Sequence, residues 1–325
     1  MDLFDEQKSA SLSTLKNGKR KADDSKNVFV PSKRDLFLST YLRYQEWSLP
    51  ESIIYYMAKN PKNAAVYEKL IQSCKYFFVQ NPIIVADRFS YIWDDESDEE
   101  DNEDNVEGAT AYLYRDQECI ELPTVLSKFW ITDKFGDSLV SLNHNMVSSI
   151  LPKFYRVDVK ELCITRQNIS FNDFIFLAFN VEDIRFGHTV VKNEDGSIVP
   201  LEKLLALLPN VKNVKIFNNR LSSCITTNTV KELLKLPHFS NIINFQLSNI
   251  GESFDIETFF TYMKKTRSTK FNIYFCPLIS ETFKNHLEEM IDEILETKTR
   301  GIQLRFYGIA MEKYVKMESL YNRPL

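Results

Sequence analysis

Leu208-Pro209-Asn210-Val211-Lys212-Asn213-Val214-Lys215-Ile216-Phe217 carries the two signals on which the architecture turns. Pro209 has no N–H and pushes its predecessor out of the α region, so the apolar helical stretch before it must stop. Val214 and Ile216 then form an apolar-x-apolar pair whose side chains share one face of a short strand. The pair recurs as Phe129/Ile131, Leu162/Ile164, Ile184/Phe186, Phe245/Leu247, Ile273/Phe275 and Leu304/Phe306. With Val214 in its place, the first members are separated by 33, 22, 30, 31, 28 and 31 residues. Each step leaves room for one helix between strands.

The Leu-Pro stop recurs as well, at Leu122-Pro123-Thr124-Val125, Leu151-Pro152-Lys153-Phe154 and Leu236-Pro237-His238-Phe239. Helix, Leu-Pro stop, then strand is the order of a leucine-rich-repeat-like helix/strand solenoid, an α/β architecture. The distance from the Leu to the following pair varies from 6 to 11 residues, so the expected array is irregular. The alternative is a compact α/β domain whose strands are evenly spaced by chance. Repeat arrays present extended surfaces to other proteins, which turns the functional question from a reaction to a partner.

The 325 residues are 44% hydrophobic and 13% aromatic, enough for a sizeable core. The acidic opening Met1-Asp2-Leu3-Phe4-Asp5-Glu6 does not read as a secretory leader. Phe174 to Phe179 is the best apolar run and is too short to span a membrane. Cys74, Cys119, Cys163, Cys224 and Cys276 are odd in number and scattered, as expected of reduced thiols in cytoplasm or nucleus.

Charge is unevenly spread. Ten of the fourteen residues from Asp94 to Glu107 are acidic, which leaves the rest of a chain of net charge −5 at +5. Such a block repels itself, so 94–107 is expected to be a disordered loop. Ser97, followed by Asp98-Glu99-Glu100, is a phosphorylation candidate within it. Residues 1–46 read as a disordered tail with a split basic cluster, Lys19-Arg20-Lys21 and Lys33-Arg34, of a kind a nuclear import receptor reads. The acidic balance and the lack of interleaved aromatics speak against a nucleic-acid partner.

Between tail and repeats, Ser48 is placed to cap a helix with Pro50 in its first turn, and Asn60-Pro61 to end it. A second helix is expected from about Ala64 to Phe78, with Tyr67, Leu70, Ile71, Cys74, Phe77 and Phe78 on one stripe. An extended or helical piece then opens with Ile83-Ile84-Val85.

The unit over 47–93 resembles an F-box. The matching positions are Leu49, Pro50, Ile53, Ile54, Pro61, Cys74, Lys75 and Phe77. Ala58 stands where a bulky aliphatic is usual, Asn60 where Leu is usual, and Phe77 for a common Trp. The runs Val191 to Leu204, Phe254 to Glu257 and Met290 to Lys298 are similar to ones in a nematode-restricted set of F-box-like proteins, where such a module precedes a divergent repeat domain. The resemblance implies docking to a Skp-type adaptor, and through it to a cullin complex, by Leu49, Pro50, Ile53, Ile54, Met57, Tyr67 and Leu70. The repeat domain, 108–325, would then select a protein substrate.

If the strands line a sheet, the residue inside each pair faces its open side. That stripe is Trp130, Cys163, Arg185, Lys215, Gln246, Tyr274 and Arg305, with Phe217 and Tyr307 as neighbours. Its Arg, Tyr and Trp side chains are those enriched at interface centres, and its cations favour an acidic partner segment. No catalytic residue is singled out: there are four histidines without zinc-ligand spacing, and no phosphate-cradling glycine loop or nucleophile turn. No metal and no cofactor is expected.

The expectation is therefore a non-catalytic subunit of a Skp-cullin-F-box type ubiquitin ligase, in single copy within the complex, without membrane or nucleic-acid partners. The rivals are a scaffold whose F-box-like unit only caps the repeats, and an enzyme whose site is invisible to motif reading.

Overall fold

The computed structural model describes residues 47–93, 109–115, 118–121, 127–136, 144–218 and 223–324. The tail 1–46, the whole acidic segment 94–107 with Ser97, and the motif at Leu122 to Val125 lie outside them.

The chain is mixed α/β, with ten α-helices among the described residues and one dominant, mostly parallel sheet. Its strands are β1 (Ile83–Trp93), β2 (Ala109–Arg115), β3 (Glu118–Glu121), β4 (Lys128–Phe135), β5 (Phe154–Val157) and β6 (Glu161–Thr165). They continue as β8 (Asp183–Gly187), β10 (Asn213–Phe217), β11 (Asn244–Ile250), β12 (Lys270–Phe275) and β13 (Ile302–Arg305). The order is β13-β12-β11-β10-β8-β6-β4-β1-β2-β3, with β5 beside β4. β7 (Asn168–Ser170) and β9 (Val190–Lys192) pair separately. From β4 to β13, pairing follows chain order and is parallel, with a helix in most crossovers. β1 and β2 form an antiparallel pair at the other end.

All seven apolar pairs are buried. They share one core with residues of α4 (Met146–Ile150), α5 (Phe171–Leu177), α6 (Leu201–Ala206), α7 (Thr229–Leu233), α8 (Ile256–Lys265), α9 (Glu281–Glu296) and α10 (Met311–Asn322). One face of the sheet is thus covered by these helices, and the polar residues inside the pairs lie on the other. The Leu-Pro stops act as expected. Leu151-Pro152 forms a 3₁₀ turn running into β5, and Pro237 opens another ahead of β11. Leu208-Pro209 follows α6.

Local structure departs from the sequence reading at three places. Helix α1 (Glu51–Lys59) starts from Pro50 itself, whose carbonyl accepts from the N–H groups of Ile53 and Ile54, and Ser48 is no cap. The second helix is two, α2 (Ala64–Ser73) and α3 (Lys75–Gln80), because Cys74 adopts an extended conformation between them. Its Sγ accepts from the Tyr76 N–H at 3.4 Å and so caps α3. Finally, of the two alternatives at Ile83 the extended one holds: Ile83 onward is strand β1 of the main sheet, as its β-branched run favours, so the helices end at Gln80 and do not reach 93.

This unit is held to the sheet through Tyr67. Its ring is fully buried against Ile83, Val85 and Trp130. The hydroxyl donates to Asn81 O at 2.8 Å and accepts from the Ile83 N–H at 3.1 Å. Burial pushes its pKa up to about 12. Tyr67→Phe leaves the Ile83 amide without its partner and is expected to lower the unfolding free energy by about 1–3 kcal/mol in urea titrations. Neighbouring positions of β10 give a sharper contrast. Ile216→Ala is expected to cost about 2–5 kcal/mol, whereas Lys215→Ala stays within about 0.5 kcal/mol.

Candidate partner-binding surfaces

Helix α1 presents two faces. Ile54 and Ala58, at i and i+4, pack on Phe77 beneath Trp47. Leu49, Pro50 and Ile53 point away from that cluster; Leu49 is 45% and Ile53 46% exposed. Tyr56 and Val66, not singled out from sequence, are exposed too. Of the expected adaptor residues, Leu49, Pro50 and Ile53 are therefore available, and Met57 and Leu70 are half-buried against the Ile54 cluster. Ile54 and Tyr67 are not available, because both are spent on internal packing.

The polar sheet face is ordered by register. One lateral row runs Cys163, Arg185, Lys215, Gln246, Asn272, Gln303. The next, toward the strands' carboxyl ends, runs Thr165, Gly187, Phe217, Ser248, Tyr274, Arg305. The expected stripe mixed the two. β12 and β13 each alternate three apolar residues, Phe271/Ile273/Phe275 and Ile302/Leu304/Phe306. Their first members, Phe271 and Ile302, align with Phe245, so Tyr274 and Arg305 fall one row further on. A second correction concerns Trp130. It lies on this face but is fully buried, with Tyr67 of α2 at 6.5 Å and Tyr155 at 5.5 Å between ring centroids. Its indole N–H donates to Asp158 Oδ2 at 2.9 Å. Cys163 is buried as well.

Arg185 and Lys215 are exposed, adjacent in register, and make no ion pair among the described residues. Arg305 donates to Asn272 Oδ1 at 3.0 Å and lies over the Tyr274 ring. At the amino end of the same face, Asn213 donates to Asp183, and Asn244 to Asn213 Oδ1 at 2.6 Å. The face thus carries carboxylates at one end and free cations further along the strands.

At the carboxyl ends the chain turns sharply. Arg166 and His188 both have φ of 53°, in the left-handed region, and Asn249 has 61°. Each turn hangs on its neighbour: the Arg166 N–H donates to Gly187 O at 2.6 Å, and the His188 N–H to Phe217 O at 2.9 Å. His144 Nδ1 lies 2.7 Å from Arg166 O; a carbonyl only accepts, so this nitrogen carries the proton. His144, Arg166, Asn168 and His188 line an open cleft of about 310 Å³. The His188 ring packs on Phe217, with centroids 4.5 Å apart. Sequence reading missed this cluster. The available signal was position: Arg166 and His188 each follow the second member of their pair by two residues.

Burial first, and the Arg166 charge second, hold His188 below the ordinary histidine pKa of 6.5. Comparison with family models, curated proteins and solved structures finds no match. Among the described residues no helix is long and apolar enough to cross a membrane.

The His188 environment has a measurable sign. Below pH 6.5 the unfolded chain takes up this proton before the folded chain does, so acid removes stability here. The His188 C2–H resonance is expected to titrate with a midpoint below 6.5. Arg166→Asn should raise that midpoint only part of the way, because burial is the larger cause.

Proposed function

We propose that this protein is a non-catalytic recognition subunit of a cullin-RING ubiquitin ligase. In this reading the F-box-like unit docks a Skp-type adaptor, and an irregular leucine-rich-repeat-like array selects a protein target. The observation that carries it is the outward face of α1. Leu49, Pro50 and Ile53 are exposed although the unit is already fastened through Tyr67 and Trp130. A unit that merely covered the sheet would turn its apolar residues inward. An apolar patch left facing solvent on an anchored module supports a docking role. The target-selecting role is supported by the polar sheet face, where Arg185 and Lys215 are exposed without ion-pair partners among the described residues. Cys74, Cys163, Cys224 and Cys276 are joined in no disulfide, which fits a reducing compartment such as cytoplasm or nucleus.

The scaffold reading has one observation in its favour. Helix α2 does cover apolar surface at the β1–β4 end of the polar face, as a cap would. Covering that surface uses Tyr67 and leaves Leu49 and Ile53 free, so the two roles use different residues.

Co-expression with Skp-type adaptors separates the readings. The wild-type chain is expected to co-purify with an adaptor. Leu49→Ala/Pro50→Ala/Ile53→Ala should weaken binding roughly 100-fold or more, at about 1 kcal/mol or more per side chain. Its thermal midpoint should stay close to wild type, since these residues support no core. A folded wild-type chain that binds no adaptor, or a triple variant that binds as well as wild type, would sink the ligase reading.

A further inference from the structure

The cleft at the carboxyl ends of β6 and β8 has a chemistry that adaptor docking does not use. Three nitrogen-bearing side chains, His144, Arg166 and His188, converge on it together with the amide of Asn168, and no carboxylate lines it. A guanidinium in the wall repels a cation, and among the described residues no group of three His, Cys, Asp or Glu side chains is arranged to hold a metal. Arg166 has no ion-pair partner among the described residues, so its fork is free to bind. The His144 Nδ1–H is committed to the Arg166 carbonyl, which aims its Nε2 elsewhere and ties the ring to the turn that carries the guanidinium. His188 is steadied by Phe217. Arg185 and Lys215, in the row toward the amino ends, extend the positive surface from the cleft onto the sheet.

We propose that this cleft is an oxyanion subsite for a phosphorylated side chain of a protein segment lying on the polar sheet face. The site rests on the target-binding reading above, but not on the adaptor. A phosphate monoester offers three acceptor oxygens and close to two negative charges, which suit the Arg166 fork, the His188 ring N–H and the Asn168 amide better than a carboxylate does, while His144 steadies the turn that carries Arg166. The volume, about 310 Å³, leaves room for the ester's own chain. The charge pattern sets direction: Glu161 and Asp183 at the amino end of the face disfavour the anion there, and Arg185 and Lys215 lead toward the cleft.

The chain has only four histidines, so imidazole C2–H resonances report the site directly. The full-length protein is titrated with three probes: inorganic phosphate, a Gly-Gly-phosphoserine-Gly-Gly peptide, and the same peptide with glutamate in place of phosphoserine. The phosphopeptide is expected to shift His144 and His188 saturably, leaving His238 and His286 in place as internal reports of the fold. Arg166→Asn, chosen because Asn tolerates the left-handed conformation, should weaken that binding at least about tenfold. The glutamate peptide should need at least about tenfold more ligand. Absence of a saturable shift, or a shift indifferent to Arg166→Asn, overturns the site. Equal binding of the glutamate peptide overturns the phosphate assignment, and binding of inorganic phosphate alone overturns the protein-segment assignment. Because no probe involves the adaptor, failure here is distinguishable from failure of the ligase reading.

Discussion

Lateral register between parallel strands is the constraint on which this molecule depends. The main-sheet strands β6, β8, β10, β11, β12 and β13 alternate buried apolar residues with residues of the opposite face, so one set of backbone pairings fixes both faces of the sheet. Leu162, Ile184, Val214, Phe245, Phe271 and Ile302 meet as one core row because the same pairings bring Arg185 beside Lys215 on the opposite face. A slip of one residue in β8 or β10 would drive a cation into the helix-covered core, where an unpaired charge is far costlier than a lost methylene. The polar face therefore specifies the fold as firmly as the core does. The core answers with shape: Phe239, Phe245, Phe259 and Phe271 interlock edge-on or tilted at centroid distances of 5.3 to 6.4 Å.

Trp130 is where the alternation changes character, and it accounts for the helical unit. An indole on the open face of β4 would be a large exposed apolar surface beside Val85 and Tyr155. Helix α2 removes that exposure by laying Tyr67 over it, while Asp158 accepts a hydrogen bond from the indole N–H and Arg156 stacks on the ring, 5.2 Å from its centre. The helical unit is thus placed by an apolar demand of the sheet, and the residues that meet the demand are not those of α1's outer face. Anchoring uses one side of the small unit and leaves the apolar residues on the other side of α1 facing solvent.

What could be read from the sequence follows from how local each cause is. The seven pairs and the Leu-Pro stops were legible because period-two alternation and the missing proline N–H act within a few residues. The row assignment of Tyr274 and Arg305 was not, because β12 and β13 each offer three alternating apolar residues and only pairing with β11 chooses among them. The break at Cys74 interrupts a perfect apolar stripe; it arises where Phe77 turns to pack on Ile54 and Ala58, a contact between helices that no single-helix pattern contains. The burial of Trp130 and Tyr67 is of the same kind, made by residues far apart in sequence. Leu49, Pro50 and Ile53 stay exposed, since they precede or open a helix whose inner face is already filled.

The turns at the carboxyl ends have another logic. A non-glycine residue in the left-handed region costs about 1–2 kcal/mol. Asn249 offsets part of that cost locally, its side-chain amide donating to Asn218 O at 3.0 Å and tying one turn to the previous one. Arg166 and His188 adopt the same conformation without any such side-chain bond to the backbone among the described residues. The turn geometry alone would be met more cheaply by Asn or Gly. What Arg and His add is charge and donors at the mouth of a cleft, positioned by backbone hydrogen bonds that the sheet register supplies. The strain therefore has its physical counterpart in the side chains it displays. Since register fixes those turns relative to Arg185 and Lys215, the polarity of the whole face runs along the strands, from Asp183 at one end to Arg166 at the other. The proposed segment would meet a graded charge rather than a uniform one, and that gradient would set its orientation.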